Sequence, residues 1–379
     1  MTNSWIKTTL PIAAVFAFRM LGLFMLIPIF SVYGMQLTHA TPMLVGLALG
    51  AYGFTQGMMQ VPFGVLSDYF GRKPMLLIGL TLFGLGSMIG AYTHSIYGMI
   101  LARTIQGFGA IGSVLIALLA DLVPDNQRPK AMAIIGMCIG LSFAIAMIIS
   151  PMIVHIGGLP EIFKVTLGLI VVGILLVLLV IPTPQHQKPS PFHKGMIWNA
   201  LTQPDLLRCH VGIWGQHFIL TSSFFAIPLL LKSANISLSS FYLSLMVSAF
   251  IVMLPLIGWS ERKKKRLPLF QVCVILFAVA QMAMIFIPLE KHILWGTLFV
   301  YFVAFNILEA LFPSMITQAA MPELRGTATG VYSTSQFLGI FFGGSLSGIV
   351  YHQFSTTGIF IMNTLLSLGY LCFIRKICR

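Results

Sequence analysis

Long apolar stretches of about 20 residues follow one another along this chain, and short polar connections separate them. A helix of about 20 apolar residues crosses a hydrocarbon core of about 30 Å. The pattern therefore predicts twelve membrane spans, over residues 9–35, 43–67, 74–93, 97–122, 130–155, 161–182, 206–232, 239–260, 268–288, 293–320, 326–351 and 357–374. The one long polar stretch, rich in proline, lies between spans 6 and 7. It divides the chain into a six-helix bundle over 1–182, a cytoplasmic linker over 183–204 and a second six-helix bundle over 205–379. Pro28, Pro62, Pro151, Pro228, Pro255 and Pro313 fall within spans and predict kinks, which lipid tolerates when neighbours satisfy the freed carbonyls.

The two halves repeat each other. Span 2 ends Pro62-Phe-Gly-Val-Leu-Ser67-Asp68 and span 8 ends Pro255-Leu-Ile-Gly-Trp-Ser260-Glu261, so each has a proline six residues before an acid that follows a serine. The connections entering spans 5 and 11 share Pro124-Asp125 then Arg128, and Pro322-Glu323 then Arg325. Two parallel six-span repeats related by an axis along the membrane normal are a transporter plan with a substrate path between the halves. The expected fold is an all-α integral membrane protein with twelve transmembrane helices in two pseudo-symmetric bundles.

Charge orients this plan. Lys and Arg gather in every second connection: Lys7; Arg72 and Lys73; Arg128 and Lys130; Lys188, Lys194 and Arg208; Arg262 through Arg266; Arg325; and Arg375, Lys376 and Arg379. Those are 17 of the 22 basic residues, against Lys164, Lys232 and Lys291 on the other side. Positive charge is retained in the cytoplasm, which places both termini and the central linker there. A composition of 58% hydrophobic and 8% charged residues excludes the soluble classes. The net charge of +13 reflects topology and not a nucleic-acid patch, because the bases flank spans. The first apolar run contains Arg19 and Pro28 and reads as a retained span, not a signal peptide. Five cysteines without metal-ligand spacing read as apolar filler.

Charges inside spans are costly and by default face a cavity or a partner. Arg19 lies in span 1, Arg103 in span 4 and Glu309 in span 10, and His217 lies near the middle of span 7. Arg19 is a fixed cation suited to attracting an anionic substrate or to holding a carboxylate deprotonated, Arg103 is expected to have a structural and coupling role within the first half, and Glu309 or His217 can exchange a proton. The alternatives are a Glu309 satisfied by a helix-end amide and a His217 that only packs. Gln56, Gln60, Gln106, Asn306 and Gln336 are further cavity or interhelical hydrogen-bonding candidates. Gly107-Phe-Gly109-Ala-Ile-Gly112 matches a dinucleotide fingerprint, but it lies inside an apolar helix with no preceding strand and reads as a close-packing face. With no phosphate-binding loop in the sequence, ATP is not the expected energy source. His210 and His217 are about 10.5 Å apart along a helix, too far to share a metal, so neither metal nor cofactor is expected.

Gly64-Val-Leu-Ser-Asp68-Tyr-Phe-Gly71-Arg72-Lys73 resembles the major facilitator superfamily signature between spans 2 and 3, and Arg103-Thr-Ile-Gln106-Gly107-Phe-Gly109 resembles that family's span 4 signature. Asn306-Ile-Leu-Glu309-Ala-Leu-Phe-Pro313, with Gly330 through Gly339 including Gln336, further resembles the bacterial YajR-like branch, regarded as proton-driven efflux. Ser150-Pro151 departs from the family's glycine-rich antiporter signature in span 5. The chain stops five residues after span 12, so that branch's soluble C-terminal domain is not expected.

The resemblance implies that spans 1, 4, 7 and 10 line a central cavity, which would bring Arg19, Arg103, His217 and Glu309 to it. It assigns a latch between spans 2 and 3: a turn of about seven residues in which Gly71 bends the backbone and Gly64 admits a neighbouring helix. Asp68 would cap the N-terminus of span 11, Arg72 would pair with Asp121 and Glu261 would be the second half's counterpart of Asp68. On the other reading, Arg72 and Lys73 serve only to orient the chain. The expected function is secondary active transport of a small molecule by alternating access, proton-coupled and directed outward. No enzymatic activity is expected. The expected setting is a monomer in the lipid bilayer of a bacterial inner membrane, with the proton motive force as energy source. Uptake or release of an organic anion or siderophore-type chelator is the alternative within transport, and a non-transporting sensor or assembly protein is the alternative outside it.

Overall fold

The computed structural model describes residues 4–183, 194–263, 265–288, 290–321 and 325–374. Lys188, Lys264, Pro322, Glu323, Arg375, Lys376 and Arg379 lie outside the described residues. In the first half α1 (Ser4–Phe24), α2 (Phe30–Gly34), α3 (Pro42–Phe70), α4 (Arg72–Tyr92), α5 (Ile96–Phe108), α6 (Gly112–Leu122), α7 (Arg128–Gly157) and α8 (Leu159–Leu179) follow in order. In the second come α9 (Lys194–Thr202), α10 (Pro204–Ser233), α11 (Leu238–Arg262), α12 (Arg266–Phe286), α13 (Lys291–Ala319) and α14 (Arg325–Ile374).

Among the described residues ten segments are long and apolar enough to cross a membrane. One of them, α14, holds two helices joined at Ser355, whose φ of 58° breaks the helical run. With that division, and with the 29-residue α3, helix lies at each of the twelve predicted spans, while α9 lies outside them.

Four boundaries differ from the sequence reading, each for a local reason. Span 1 is not continuous: α1 stops at Phe24 and α2 starts at Phe30, because Pro28 has no N–H to return to Phe24. Ile27 N bonds the Phe24 carbonyl instead, and the Met25 carbonyl, released from the ladder, accepts from Ser150 Oγ on α7. Span 4 divides into α5 and α6 at Gly109–Ile111, inside the glycine run. The turn expected between spans 2 and 3 shrinks to Gly71 alone, at φ 94°, because helix continues through the signature on both sides. The expected linker over 183–204 contains a helix, α9, which lies outside the twelve predicted spans.

Contacts divide the chain into two compact units: Met1–Ala40 with Ala51–Phe192, and Thr41–Gly50 with His193–Arg379. In the first, α4 packs against α5 and α8, and α1 against α7 and α8. Glycines permit the closest approaches: a Cβ on Gly107 would meet the Thr55 hydroxyl and lie 2.5 Å from the Tyr52 carbonyl oxygen. In the second unit α10 packs along α14, and α12 lies against α13 and α14. A network of Ser222, Ser223, Gln281 and Asn363, all at most 2% exposed, ties α10, α12 and α14 together. Asn363 Nδ2 donates to Gln281 Oε1 (3.0 Å) and Ser223 Oγ (3.2 Å), and Ser222 Oγ donates to Asn363 Oδ1. Satisfied in this way, four polar side chains fix the register of three apolar helices.

Candidate functional site

Three clusters of polar side chains stand out, and each belongs to one unit. The first lies at the junction of α3 and α4. Arg72 pairs with Asp68 one turn before it, donates from Nη1 to Ser67 Oγ (2.6 Å) and pairs through Nε with Asp121 Oδ2 at the end of α6 (2.9 Å). Lys73 Nζ donates to the Ile181 carbonyl just past α8 (2.8 Å). One dipeptide thus ties α4 to α3, α6 and the end of α8. At Gly64 a neighbouring helix, α6, lies in ordinary contact: a Cβ there would stand 3.5 Å from Ser113 Oγ. In the second half Ser260 Oγ donates to Ile257 O as Ser67 Oγ donates to Gly64 O, preserving the repeat. Glu261 pairs with Arg266 (3.2 Å), and Arg266 reaches Ser314 Oγ (3.4 Å). Ser314 follows Asp121 by 193 residues, as Pro255 follows Pro62, so a serine stands where the first half has a carboxylate.

The second cluster lies inside the first unit. Arg19 on α1 and Arg103 on α5 are each 1% exposed and converge on Tyr52 of α3. Arg19 Nη2 donates to the Tyr52 hydroxyl (2.7 Å), and the Arg103 guanidinium carbon lies 4.7 Å from the centroid of the same ring. Arg103 Nη1 donates to Gln106 Oε1 (2.8 Å), and Gln106 Nε2 donates to Ser87 Oγ on α4 (2.9 Å). Gln56 Nε2 donates to Gln60 Oε1 (3.0 Å), one turn apart on α3.

The third cluster surrounds Glu309 on α13, within the second unit. Gln216 Nε2 on α10 donates to Glu309 Oε2 (3.1 Å), and Gln336 Nε2 on α14 donates to Glu309 Oε1 (3.3 Å). Gln336 Nε2 also lies 2.8 Å from His217 Nε2, and His217 Nε2 lies 3.7 Å from Glu309 Oε2. Gln216 Oε1, His217 Nδ1, Asn306 Nδ2 and Tyr332 Oη are buried without a hydrogen-bond partner among the described residues. Glu309 itself keeps 32% of its side-chain surface. A carboxylate held by two neutral amides, beside an imidazole and unpaired polar groups, is an arrangement able to bind and release a proton.

The structure brings His217, Glu309 and Gln336 together, sets Asn306 one turn before Glu309, and separately joins Arg19 and Arg103 through Tyr52 and Gln106 to them through Arg103. Sequence reasoning missed Tyr52, Gln216, Gln281 and Asn363. The last three are amides within apolar runs and carried a signal, whereas Tyr52 looks like ordinary packing in an aromatic-rich chain.

Long apolar helices in two units, with ionisable side chains inside the spans, define a multi-pass membrane transporter. The chain belongs to the major facilitator superfamily, whose family model matches residues 12–344. It is 41% identical over 377 residues to the inner membrane transport protein YajR of Escherichia coli K12, covering 98% of this chain and 83% of that one. An uncharacterized transporter of Buchnera aphidicola subsp. Acyrthosiphon pisum is 35% identical over 347 residues, covering 89% of this chain and 88% of that protein. The crystal structure of a D-xylose–proton symporter superposes with a TM-score of 0.78 at 14% identity, covering 96% of this chain and 97% of that one. That likeness speaks to the fold.

Proposed function

We propose that this transporter exports a small molecule across a bacterial inner membrane by alternating access, in exchange for protons, with Glu309 as the proton-carrying group. The observation that carries this reading is the company Glu309 keeps. Its oxygens meet Gln216 and Gln336 within hydrogen-bond reach, and its ion-pair neighbour is His217, not a lysine or arginine. A carboxylate in a span with only neutral donors and a histidine beside it keeps part of the cost of its charge, and protonation removes that cost. The neighbouring amides suit either form, since Gln336 and Gln216 can donate to a carboxylate or accept from a carboxylic acid. Unpaired polar atoms on Asn306, Gln216 and Tyr332 offer a substrate hydrogen bonds at the same place. Proton release and substrate binding then compete for one set of groups, which is the basis of exchange. The outward direction follows the resemblance of the Asn306–Pro313 and Gly330–Gly339 segments to the efflux branch, and the charge distribution supports cytoplasmic termini.

The test compares metabolites inside and outside cells that carry, lack or overproduce the protein. Export predicts that the substrate accumulates inside null cells and that Glu309→Gln, which mimics the protonated form, fails to lower its level while still exchanging it in proteoliposomes. His217→Gln is the counter-test. If it alone abolishes uphill transport while Glu309→Gln pumps normally, the proton site lies on α10.

A further inference from the structure

The first unit contains two buried positive charges and no negative charge to meet them. Arg19 and Arg103 are each 1% exposed, and a guanidinium stays protonated at any pH a cell reaches. All four acids described in this unit are engaged elsewhere: Asp68 and Asp121 with Arg72, Asp125 with Arg128, and Glu161 with Lys164. No carboxylate lies within ion-pair distance of either buried arginine among the described residues.

What does surround them is neutral and incomplete. Of the five N–H groups on each guanidinium, Arg19 uses one on the Tyr52 hydroxyl and one in a 3.8 Å contact with Met20 Sδ. Arg103 uses one on Gln106 and faces the Tyr52 ring. Both Nε atoms are buried and unpaired. Beside Arg19 the backbone itself comes close: a Cβ on Gly112 would stand 3.9 Å from Arg19 Nη1 and only 3.3 Å from Gln60 Nε2, so glycine is what lets these donors face the helix without a side chain between them. Gln56 occupies the oxygen of Gln60, so the amide nitrogen is what Gln60 has left to offer. Two guanidiniums gathered on one phenol, each with an unpaired buried Nε, and the amide nitrogen of Gln60 beside Arg19 form a set of donors arranged for an acceptor.

An isolated ion buried in a protein costs several kcal/mol, and a cation–π contact with a neutral acceptor offsets only part of that. We infer that Arg19, Tyr52 and Arg103, with Gln60, form an oxyanion-binding site, and that the transported molecule is an organic anion whose carboxylate or phosphate group completes it. The planar guanidinium fork suits both groups, since each presents two oxygens at matching spacing. The inference deepens the transport reading by naming the substrate class, and it stands on the first unit alone.

The test is binding, read at one neutral pH and with no gradient, so that it does not depend on proton coupling. Thermal unfolding of the purified full chain in detergent is followed with millimolar benzoate, succinate and phenyl phosphate, each against its uncharged counterpart: benzamide, succinamide and phenol. At least one anion should stabilise the protein while its neutral partner does not. Arg19→Gln should weaken that anion's affinity at least about 30-fold, as expected for removing one partner of a buried charge pair. Arg19→Lys keeps the charge without the fork and should fall between, which provides a reading if the glutamine variant does not fold. Stabilisation by none of the three anions, equal stabilisation by anion and neutral partner, or full affinity in the Arg19→Lys and Arg103→Lys variants together would overturn the site. If the anions bind as described while Glu309→Gln still pumps uphill, the proton assignment falls and this site stands.

Discussion

Replacing Arg72 and Asp121 by alanine, singly and together, measures what one half-buried ion pair contributes to this fold. Arg72 Nε and Asp121 Oδ2 are 2.9 Å apart, and the side chains are 16% and 18% exposed. At an effective dielectric of about 20, unit charges about 4 Å apart attract by about 4 kcal/mol before any cost is counted. Desolvation and side-chain ordering reduce this, but exposure below one fifth keeps the pair well above the roughly 0–1 kcal/mol of surface bridges. A coupling energy of about 2 kcal/mol is expected, within the range of about 0.5–3 kcal/mol found for residues in direct contact. Arg72→Ala should cost more than Asp121→Ala, because it also strips Asp68 and Ser67 of their partner. The assay is equilibrium unfolding of the purified protein in mixed detergent and dodecyl sulfate micelles, with the interaction term taken from the four-member cycle. A term below about 0.5 kcal/mol would show that the pair does not support the fold and would leave Arg72 as a topology determinant only.

In a background lacking the five native cysteines, Asn199→Cys on α9 should resist a membrane-impermeant thiol reagent in intact cells, while Ser237→Cys before α11 should react; the reverse pattern would invert the proposed orientation. Gly107→Ala, whose Cβ would press on Thr55 and the Tyr52 carbonyl, should destabilise the protein by about 1–3 kcal/mol. Gly136→Ala on α7, with nothing within 4 Å of its Cβ, should instead stabilise it by about 0.5–1 kcal/mol in the same unfolding assay. Equal effects at the two positions would refute the packing assigned to Gly107.

Span positions were legible because hydropathy is a local property. The break in span 1 was foreshadowed by Pro28, but its extent was not, since it depends on Ser150 from α7 accommodating the Met25 carbonyl. Span 4 reads as an unbroken apolar run, and only packing shows that its glycine segment leaves the helix. The candidate site followed the same division. Arg19, Arg103 and Glu309 were conspicuous because charge in a span is rare, and His217 stood out as a titratable group in apolar sequence. Of their partners Gln106 and Gln336 were legible as amides in apolar runs, whereas Tyr52 and Ser87 become partners only through helix packing, which is not written at any fixed spacing.

The repeat shows why scaffold and chemistry were legible to different degrees. At the 193-residue spacing that relates Pro62 to Pro255 and Asp121 to Ser314, Arg103 corresponds to Gly296 and Glu309 to Ile116. The buried charges of one half therefore have no charged counterpart in the other, although the prolines and the Ser67–Gly64 and Ser260–Ile257 hydrogen bonds do match. Helix-turning features recur because both halves must satisfy the same backbone constraints in the same solvent. Charges are under no such constraint, and each copy carries only those its own task can justify against the cost of burial. Cations gathered on Tyr52 in the first unit and a carboxylate held by amides in the second are therefore features of one copy each, laid on a scaffold that both copies share.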